Sequence, residues 1–424
     1  MTGRHVAVVG AGLAGLAAAA RLEERGSRVT LLGSGEAEEP ARVSLGETEL
    51  EPELHLVPRR HPALDELIGQ TELGGSIRER ALDGGAEVVG TRHRPVSLRG
   101  TGLLGVGRGT PVWDAWRRQR LGSLARWFEP ILDRCEPETG ARLDDRSIGD
   151  FARVYLGRRR AHRSLEALVD IGFGLDAEAT SRLLLFLWLD RSGRLSLSRL
   201  SGVSALREAL AARITDVRAD ARVAAVQSDG RGVELEDGSK VDCDAAVIAL
   251  RGDRVRARMP GLSPLEADVL GRIAYARRVI LAVRTTDVAA EADSLSWIPG
   301  SERGLLAGIV GAGERVLLLV GRSHSPSVHA PDDERGPTEA LLCGAERALP
   351  GIRSRIEATC LYRTARPRFD VGHYRAVASL RREQSRRLGT RRIALAGDYL
   401  VGPDLESAAR SGFRAADDIE TALA

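Results

Sequence analysis

The sequence is poor in lysine, asparagine and aromatic residues. Among 424 residues, Lys240 is the only lysine, asparagine does not occur, and aromatic residues make up 4%. Nearly all positive charge is therefore arginine, so an arginine cluster alone is weak evidence for a site. The 62 basic and 59 acidic residues leave a net charge of +3. This balance is too small to indicate a nucleic-acid partner.

Cysteine, metal-ligand patterns and long apolar runs are also scarce. The four cysteines (Cys135, Cys243, Cys343 and Cys360) form no C-x-x-C pair, which argues against a disulfide framework or a zinc site. His324 and His329 have no acidic residue at ligand spacing, and we expect no metal. No run reaches the ~20 apolar residues that span a bilayer. We therefore expect a cytoplasmic protein without a signal peptide or transmembrane segment, and leave peripheral membrane contact open.

A nucleotide-binding pattern opens the chain. His5 to Val9 predicts a buried strand, Leu13 to Arg25 an alanine-rich helix that Gly26 ends, and Arg28 to Leu32 a second strand. The turn between the first strand and the helix reads Gly10-Ala11-Gly12-Leu13-Ala14-Gly15. In such a turn the first glycine permits the bend, the second lets a pyrophosphate approach the backbone, and the third lets the helix pack on the strand. The alternative is the same turn without a ligand.

A second pattern of small and acidic residues closes the chain. Arg392 to Ala396 predicts a strand that runs into Gly397-Asp398, and a helix follows from Glu406 to Ala422. An acidic residue at the end of a strand, next to a helix that begins with small residues, can hold a ribityl chain and the edge of a flavin. Between the two patterns we predict strands at residues 222–226, 232–236 and 240–250, the last two joined at Asp237-Gly238. Further strands are predicted at residues 280–284, 304–310 and 315–320.

Taken together, these patterns resemble the flavin-containing amine oxidase superfamily. Two middle segments narrow the resemblance to its protoporphyrinogen oxidase-like branch. The first is Ser147-Ile-Gly-Asp-Phe151 followed by Leu156-Gly157, and the second is Arg366-Pro-Arg-Phe-x-x-Gly372-His-Tyr. The resemblance runs along essentially the whole chain.

The resemblance implies an α/β fold with FAD as the cofactor. A Rossmann-like FAD-binding domain would be built from the separated segments 1–75, 200–260 and 376–424, with an inserted α+β substrate domain at 76–199 and 261–375. Gly10, Ala11, Gly12, Leu13, Ala14 and Gly15 would surround the pyrophosphate, and Val223 would contact the adenine. Gly397 and Asp398 would hold the pyrophosphate and ribityl region, with Glu406 and Ala408 of the closing helix beside them. No catalytic residue is assigned.

Two positions depart from the family pattern. The family has a ribose-binding glutamate after the second strand, where this chain has Gly33. The R-x-G-G-R loop that covers the pyrophosphate is replaced by an acidic stretch from Gly35 to Arg42, and its glutamates would repel a pyrophosphate. One alternative is that Glu36 binds the ribose while Arg42 serves the phosphates. The other is that the affinity for FAD has been lost.

The resemblance predicts an FAD-dependent oxidoreductase that passes hydride to flavin N5. Amine-oxidising members hold a lysine near N5, whereas Lys240 lies beside the predicted turn, which argues against amine oxidation. We therefore expect a bulky apolar or tetrapyrrole-like small molecule as the substrate. Residues 183–189 could form a wall of its cavity or a membrane-facing patch, although core packing is the simpler interpretation. The alternative function is a non-catalytic binding or partner protein with weak or lost FAD binding.

Overall fold

The computed structural model describes most of the chain in twelve ranges. They are residues 3–33, 42–81, 86–90, 93–97, 112–155, 165–166, 168–189, 197–287, 295–298, 304–313, 315–323 and 334–424. Glu36, His324, His329 and the Leu156-Gly157 pair lie outside these ranges.

Twenty strands and eleven α-helices are present in the described ranges. In chain order the strands are β1 (His5–Val9), β2 (Arg28–Leu32), β3 (Val43–Leu45), β4 (Thr48–Leu50), β5 (His55–Pro58), β6 (Arg78–Ala81), β7 (Ala86–Gly90), β8 (His93–Ser97), β9 (Leu197–Ser201), β10 (Asp216–Arg218), β11 (Val223–Val226), β12 (Gly232–Leu235), β13 (Lys240–Asp242), β14 (Ala245–Ile248), β15 (Tyr275–Thr285), β16 (Leu295–Trp297), β17 (Leu306–Gly313), β18 (Val316–Gly321), β19 (Ile356–Pro367) and β20 (Ile393–Leu395). The helices are α1 (Leu13–Glu24), α2 (Pro62–Gly69), α3 (Val112–Phe128), α4 (Ile148–Tyr155), α5 (Arg182–Trp188), α6 (Val203–Arg213), α7 (Gly252–Arg258), α8 (Pro264–Gly271), α9 (Arg335–Ala348), α10 (His373–Arg387) and α11 (Leu405–Leu423).

A five-stranded parallel sheet joins the two ends of the chain. Its strand order is β10-β2-β1-β14-β20, and every neighbouring pair is parallel. Val6 and Val8 of β1 belong to one apolar cluster with α1 and α11, while Ala7 and Val9 belong to another with α7, α8 and α10. Both faces of the sheet are therefore covered, as an all-parallel sheet requires. This confirms the predicted α/β class; the predicted domain ranges remain a prediction.

A second, seven-stranded sheet is formed by residues that lie between the strands of the parallel sheet in sequence. Its order is β19-β15-β18-β17-β16-β7-β8, with all pairs antiparallel except β16 and β7. The long pair β15 and β19 runs from the partners Tyr275 and Pro367 to Thr285 and Ile356. Because successive side chains of a strand point to opposite faces, Tyr362, Thr364 and Arg366 of β19, each two residues apart, lie on one face. That face borders the candidate site.

The structure corrects two sequence predictions. The single strand predicted over residues 240–250 is wrong: the chain turns at Cys243 and Asp244, so β13 joins a small antiparallel sheet while β14 enters the parallel one. The twelve-residue strand β19 was not predicted, because apolar and polar residues do not alternate regularly along Ile356–Pro367. Residues 183–189, by contrast, are all buried, which favours the core-packing interpretation. No helix in the described part of the chain is long and apolar enough to cross a membrane.

Candidate active site

The glycine turn between β1 and α1 is shaped by close packing at its first and third glycines. Gly10 has a φ of 109°, and a Cβ placed on it would lie 2.5 Å from the carbonyl oxygen of Ala249. A Cβ on Gly15 would lie 1.9 Å from the carbonyl oxygen of Gly10. Neither position can accept a side chain without movement of the backbone. These two glycines are therefore explained by the fold itself.

Gly12 is different, because its surroundings are open. No atom lies within 4 Å of a Cβ placed there, and Gly12 is the N-cap of α1 without a side-chain hydrogen bond. The first amide groups of α1 therefore point towards the adjacent space, where the helix dipole favours negative charge. Leu13 and Ala14 border the same space. Of the three glycines, Gly12 is the one that the fold leaves free to meet a ligand.

A cleft of about 440 Å³ begins at this turn. It lies beyond the carboxyl ends of three neighbouring strands, since Gly10 follows β1, Ala249 and Leu250 follow β14, and Gly397 follows β20. Ligands of open parallel sheets bind at this edge. The cleft also extends to the second sheet, because Tyr362, Thr364, Ala365 and Arg366 form part of its lining. One cavity thus connects the nucleotide-type turn to the face of the second sheet.

Asp398 provides a titratable group in the cleft. Burial raises the pKa of its carboxyl group to about 6, although the charges of Arg366 and Arg251 lower it. One of its oxygens accepts a hydrogen bond of 2.8 Å from the Tyr399 amide. Such a carboxyl group can accept a hydrogen bond when ionised and donate one when protonated. It is therefore suited to a ligand hydroxyl group.

These residues fit the pyrophosphate and ribityl part of a dinucleotide. The open backbone at Gly12 and the start of α1 provide donors for phosphate oxygens. Arg207, Arg251 and Arg254 also line the cleft and contribute positive charge. The fit rests on the structure of the cleft wall. Of the residues predicted to contact the cofactor, seven line the cleft, and their contacts with the cofactor remain predictions: Gly10, Gly12, Leu13, Ala14, Gly397, Asp398 and Ala408.

The ribose position does not follow the family pattern. A Cβ placed on Gly33 would lie 1.9 Å from the carbonyl oxygen of Ala219. The adjacent strand β10 holds this backbone in place, because the Gly33 amide donates a 2.9 Å hydrogen bond to the carbonyl oxygen of Arg218. The space in which a ribose-binding carboxylate would begin is therefore filled by main chain.

The far end of the cleft is built from charged and hydroxyl side chains. We call Glu53, His55, Tyr362, Thr364 and Arg366 the inner wall; all five line the cleft. Glu53 Oε1 lies 2.8 Å from Arg366 Nη2 and accepts a 3.2 Å hydrogen bond from Thr364 Oγ1. Burial alone would raise the pKa of Glu53, but the positive charge of Arg366 and the hydrogen bond from Thr364 lower it to about 2. Glu53 is therefore a permanent anion at neutral pH.

Arg366 connects the second sheet to two other segments of the cleft. Its Nη1 donates a 2.6 Å hydrogen bond to the carbonyl oxygen of Pro403, and its Nη2 donates a 3.0 Å hydrogen bond to that of Leu54. The guanidinium group thus fixes the strand β19 against the segment before β5 and the loop before α11. Burial lowers the pKa of His55, so its ring is neutral at neutral pH.

The remaining predicted contacts lie elsewhere or shape the turn. Arg42 is exposed and its Nη1 lies 3.2 Å from Glu208 Oε1. Glu406 of α11 is buried against the start of α2, and it accepts hydrogen bonds of 3.3 and 2.9 Å from the amides of Ala63 and Leu64. Val223 is buried in β11. Ala11 and Gly15 belong to the turn without lining the cleft. Their roles at the cofactor remain predictions, and Arg42 and Glu406 are engaged by other partners.

Sequence analysis did not assign the inner wall. Glu51, Glu53 and His55 are spaced by two, which is the period that places side chains on one side of an extended segment. This two-residue spacing is the sequence pattern that could have indicated the inner wall. Arg366 lies in the second middle segment quoted above, but its partners come from distant segments, and no local pattern indicates them. Lys240 is exposed on the β12–β13 hairpin with its Nζ 2.8 Å from Glu234 Oε1, outside the cleft lining.

Comparison with known proteins agrees with this architecture. The sequence model of a family described as flavin containing amine oxidoreductase matches residues 117–420, and an FAD binding domain matches residues 5–43. Putrescine oxidase bound to putrescine is similar in structure, with a TM-score of 0.73 and 17% identity over 99% of both chains. A cyclohexylamine oxidase from Brevibacterium oxydans IH-35A has a TM-score of 0.70 and 16% identity over 99% of both chains. A provisional protoporphyrinogen oxidase from Exiguobacterium sp. 255-15 has a TM-score of 0.70 and 18% identity, also over 99% of both chains. With the family match covering well over half of its length, the chain belongs to the flavin-containing amine oxidoreductase family, and its cofactor is FAD.

Proposed function

We propose that this protein is an FAD-dependent oxidoreductase that removes hydride from a bulky, apolar or tetrapyrrole-like small molecule. The observation that carries the proposal is the single cleft that joins the glycine turn to the face of the second sheet. A ligand held at the turn can extend through this cleft to the inner wall. When bound, FAD supplies the hydride acceptor, as cofactors generally supply the difficult chemistry.

The residues of the chain would then bind and orient the cofactor. The backbone at Gly12 and the start of α1 would hold the pyrophosphate, and Asp398 would hold a ribityl hydroxyl group. Arg366 and Thr364 fix the carboxylate of Glu53, so this anion cannot turn freely into the cleft. Tyr362, Ala365 and Pro403 contribute apolar surface to the same region. Two features support the proposed substrate class: this apolar surface beside the charged inner wall, and the exposed position of Lys240 outside the cleft lining.

A second candidate function is favoured by the surroundings of Gly33. The carbonyl oxygen of Ala219 occupies the place of a ribose-binding side chain, so the affinity for FAD would be weaker than in members that have the carboxylate. A weak affinity would suit a non-catalytic binding or partner protein. The two candidates differ in cofactor occupancy and in turnover.

The absorption spectrum of the purified protein tests the proposal. We expect flavin bands and roughly one FAD per chain, either as purified or after FAD is added and the excess removed. Turnover is then compared between protoporphyrinogen, followed by porphyrin fluorescence, and putrescine, followed by hydrogen peroxide. Turnover of the porphyrinogen alone would support the proposed substrate class, and turnover of putrescine alone would overturn it. A protein that takes up no FAD and turns over neither compound would favour the binding-protein candidate.

A further inference from the structure

A second cavity of about 430 Å³ lies between the end of α3, the helix α5 and the helix α11. It shares no lining residue with the cleft described above. Ala125 and Leu132 form one side of its apolar wall, and Phe186, Leu187 and Leu189 form the other. The last three belong to the leucine-rich run 183–189, in which these side chains border a cavity as well as the core. A cavity of this size and composition is typical of a small-molecule site.

Arg134 lies at the end of the second cavity that borders a narrow neck, and it has no carboxylate partner in the described part of the chain. Its Nε donates a 2.6 Å hydrogen bond to the carbonyl oxygen of Leu187, and its Nη1 donates a 3.5 Å hydrogen bond to that of Arg60. In the described part of the chain no acidic oxygen lies within ion-pair distance of it, and its Nη2 has no hydrogen-bond partner. Burial and the neighbouring Arg410 lower the pKa of Arg134, while the charges of Asp404 and Glu406 raise it. A partly buried guanidinium group with a donor that no protein group accepts gains free energy when that donor meets an anion.

Arg410 borders the same end of the cavity, but its charge is already compensated. Its Nε donates a 2.6 Å hydrogen bond to Glu406 Oε1, and its Nη1 lies 2.8 Å from Cys135 Sγ. Glu406 in turn accepts hydrogen bonds from the amides of Ala63 and Leu64. Because Glu406 is occupied on both sides, it makes no direct ion pair with Arg134, although its charge and that of Asp404 act on Arg134 from a distance. The Nη2 donor of Arg134 therefore has no carboxylate partner in the described part of the chain.

The two acidic residues that line the second cavity, Glu129 and Asp133, do not line the narrow neck next to it. Arg134, Leu187 and Arg410 line both the cavity and this neck. One oxygen of Asp133 accepts hydrogen bonds of 2.6 and 3.3 Å from the amides of Cys135 and Glu136. Arg134 and Arg410 therefore lie at the end of the cavity next to the neck, whose lining also includes Asp404 and Glu406. Because Asp404 and Glu406 accept hydrogen bonds from other groups, an anionic group at this end would meet the Nη2 donor of Arg134.

The neck separates the second cavity from the FAD cleft. Its volume is only about 20 Å³, which is room for one water molecule rather than an organic ligand. Trp188 Nε1 donates a 3.3 Å hydrogen bond to Asp404 Oδ2 in the neck, and Asp404 also lines the cleft. This contact therefore keeps a molecule in the second cavity from passing through the neck into the FAD cleft.

We propose that the second cavity is a binding site for an organic acid, with the carboxylate on Arg134 and the apolar body along Phe186 and Leu187. This site is independent of the function proposed for the cleft. The carboxylate would receive the free Nη2 donor of Arg134, and the apolar body would lie on the wall formed by α5.

Calorimetric titration of the purified protein with octanoate tests the proposal, with octan-1-ol and octylamine as matched probes of the same length. We expect octanoate to bind at least about tenfold more tightly than the alcohol, which is the effect of one charge-assisted hydrogen bond. Arg134→Gln should remove this preference. Arg142→Gln, which deletes the same charge at an exposed position on the 3₁₀ helix Pro137–Leu143, should leave it unchanged. Equal binding of octanoate and octan-1-ol, or tighter binding of octylamine, would overturn the proposal.

A second variant tests the location of the site without removal of a charge. Ala125→Leu adds side-chain volume to the wall of the second cavity and should weaken octanoate binding at least about tenfold, with a lower melting temperature than the wild type because Ala125 is buried. Octanoate affinity is also measured with and without excess FAD, and we expect it to be the same in both. Unchanged affinity in Ala125→Leu, or displacement of octanoate by FAD, would overturn the proposal and place the acid in another site.

Discussion

The carbonyl oxygen of Ala219 occupies the position that a side chain of residue 33 would need, since a Cβ on Gly33 would approach it to 1.9 Å. The two residues lie where the neighbouring parallel strands β2 and β10 end. The close packing of these two strand ends therefore explains why residue 33 carries no ribose-binding carboxylate. Restoring the carboxylate alone would require the backbone of residue 219 to move.

Gly33→Ala is therefore expected to destabilise the protein. Overpacking of this kind lowers the free energy of unfolding by about 1–3 kcal/mol, which urea denaturation measures. Gly12→Ala is the matched control, because no atom lies within 4 Å of a Cβ there. The change from glycine to alanine at this N-cap costs at most ~1 kcal/mol. A Gly33→Ala protein as stable as the control would show that residue 219 yields without cost.

Gly12→Val should remove FAD-dependent stabilisation while leaving the FAD-free protein nearly as stable as the wild type. The φ of Gly12 is −67°, an ordinary value, so a side chain there causes no backbone strain and acts only by obstructing the cleft. FAD at ~100 times its dissociation constant adds ~2.7 kcal/mol to the stability of the wild type. Melting temperatures of both proteins with and without FAD measure this difference. An equal FAD-dependent shift in both proteins would exclude close approach of the cofactor to Gly12.

Glu53→Gln should weaken the dependence of stability on acidic pH. The pKa of Glu53 in the folded protein is about 2, below its ordinary 4.5. Its contribution is therefore complete above the unfolded-state value and is lost as the pH falls from 4.5 towards 2. We expect the wild type to lose more unfolding free energy than Glu53→Gln over this interval. Glu49→Gln, at an exposed position of β4, is the control, and identical pH profiles for wild type and Glu53→Gln would contradict the ion pair with Arg366.

Asp398→Asn should have the opposite pH signature. The pKa of Asp398 in the folded protein is raised from 3.8 to about 6, so the folded state binds its proton more tightly than the unfolded state does. The stability that this carboxyl group contributes is present below pH 3.8 and is lost as the pH rises to about 6. FAD-free Asp398→Asn should therefore be more stable than the wild type at pH 7 and lack this decline. Denaturant unfolding at pH 4, 5, 6 and 7 measures the two profiles, and a variant less stable than the wild type at pH 7 would contradict a buried, destabilised carboxylate.

The two ends of the chain could be predicted from the sequence because their signals are local. The strand, the glycine turn and the helix at residues 5–24 lie within one unit, and the patterns at Gly397, Asp398 and the closing helix are similarly short. Each of these elements depends on steric rules and periodicity that neighbouring residues reveal. The placement of Gly10, Gly12 and Asp398 at one cleft follows from the α/β fold, since parallel strands bring their carboxyl ends to one edge.

Only the tertiary structure decided what surrounds these elements. Glu53 and Arg366 are 313 positions apart, and their 2.8 Å contact exists because β19 packs beside the segment that precedes β5. The run 183–189 predicted buried apolar surface, but the cavity beside it exists because the end of α3, Arg134 and Arg410 of α11 also border it. Likewise, Gly33 marked a departure from the family pattern, and the backbone of Ala219 supplied its cause. Local sequence determines which elements form, whereas contacts between distant segments determine the chemistry that those elements enclose.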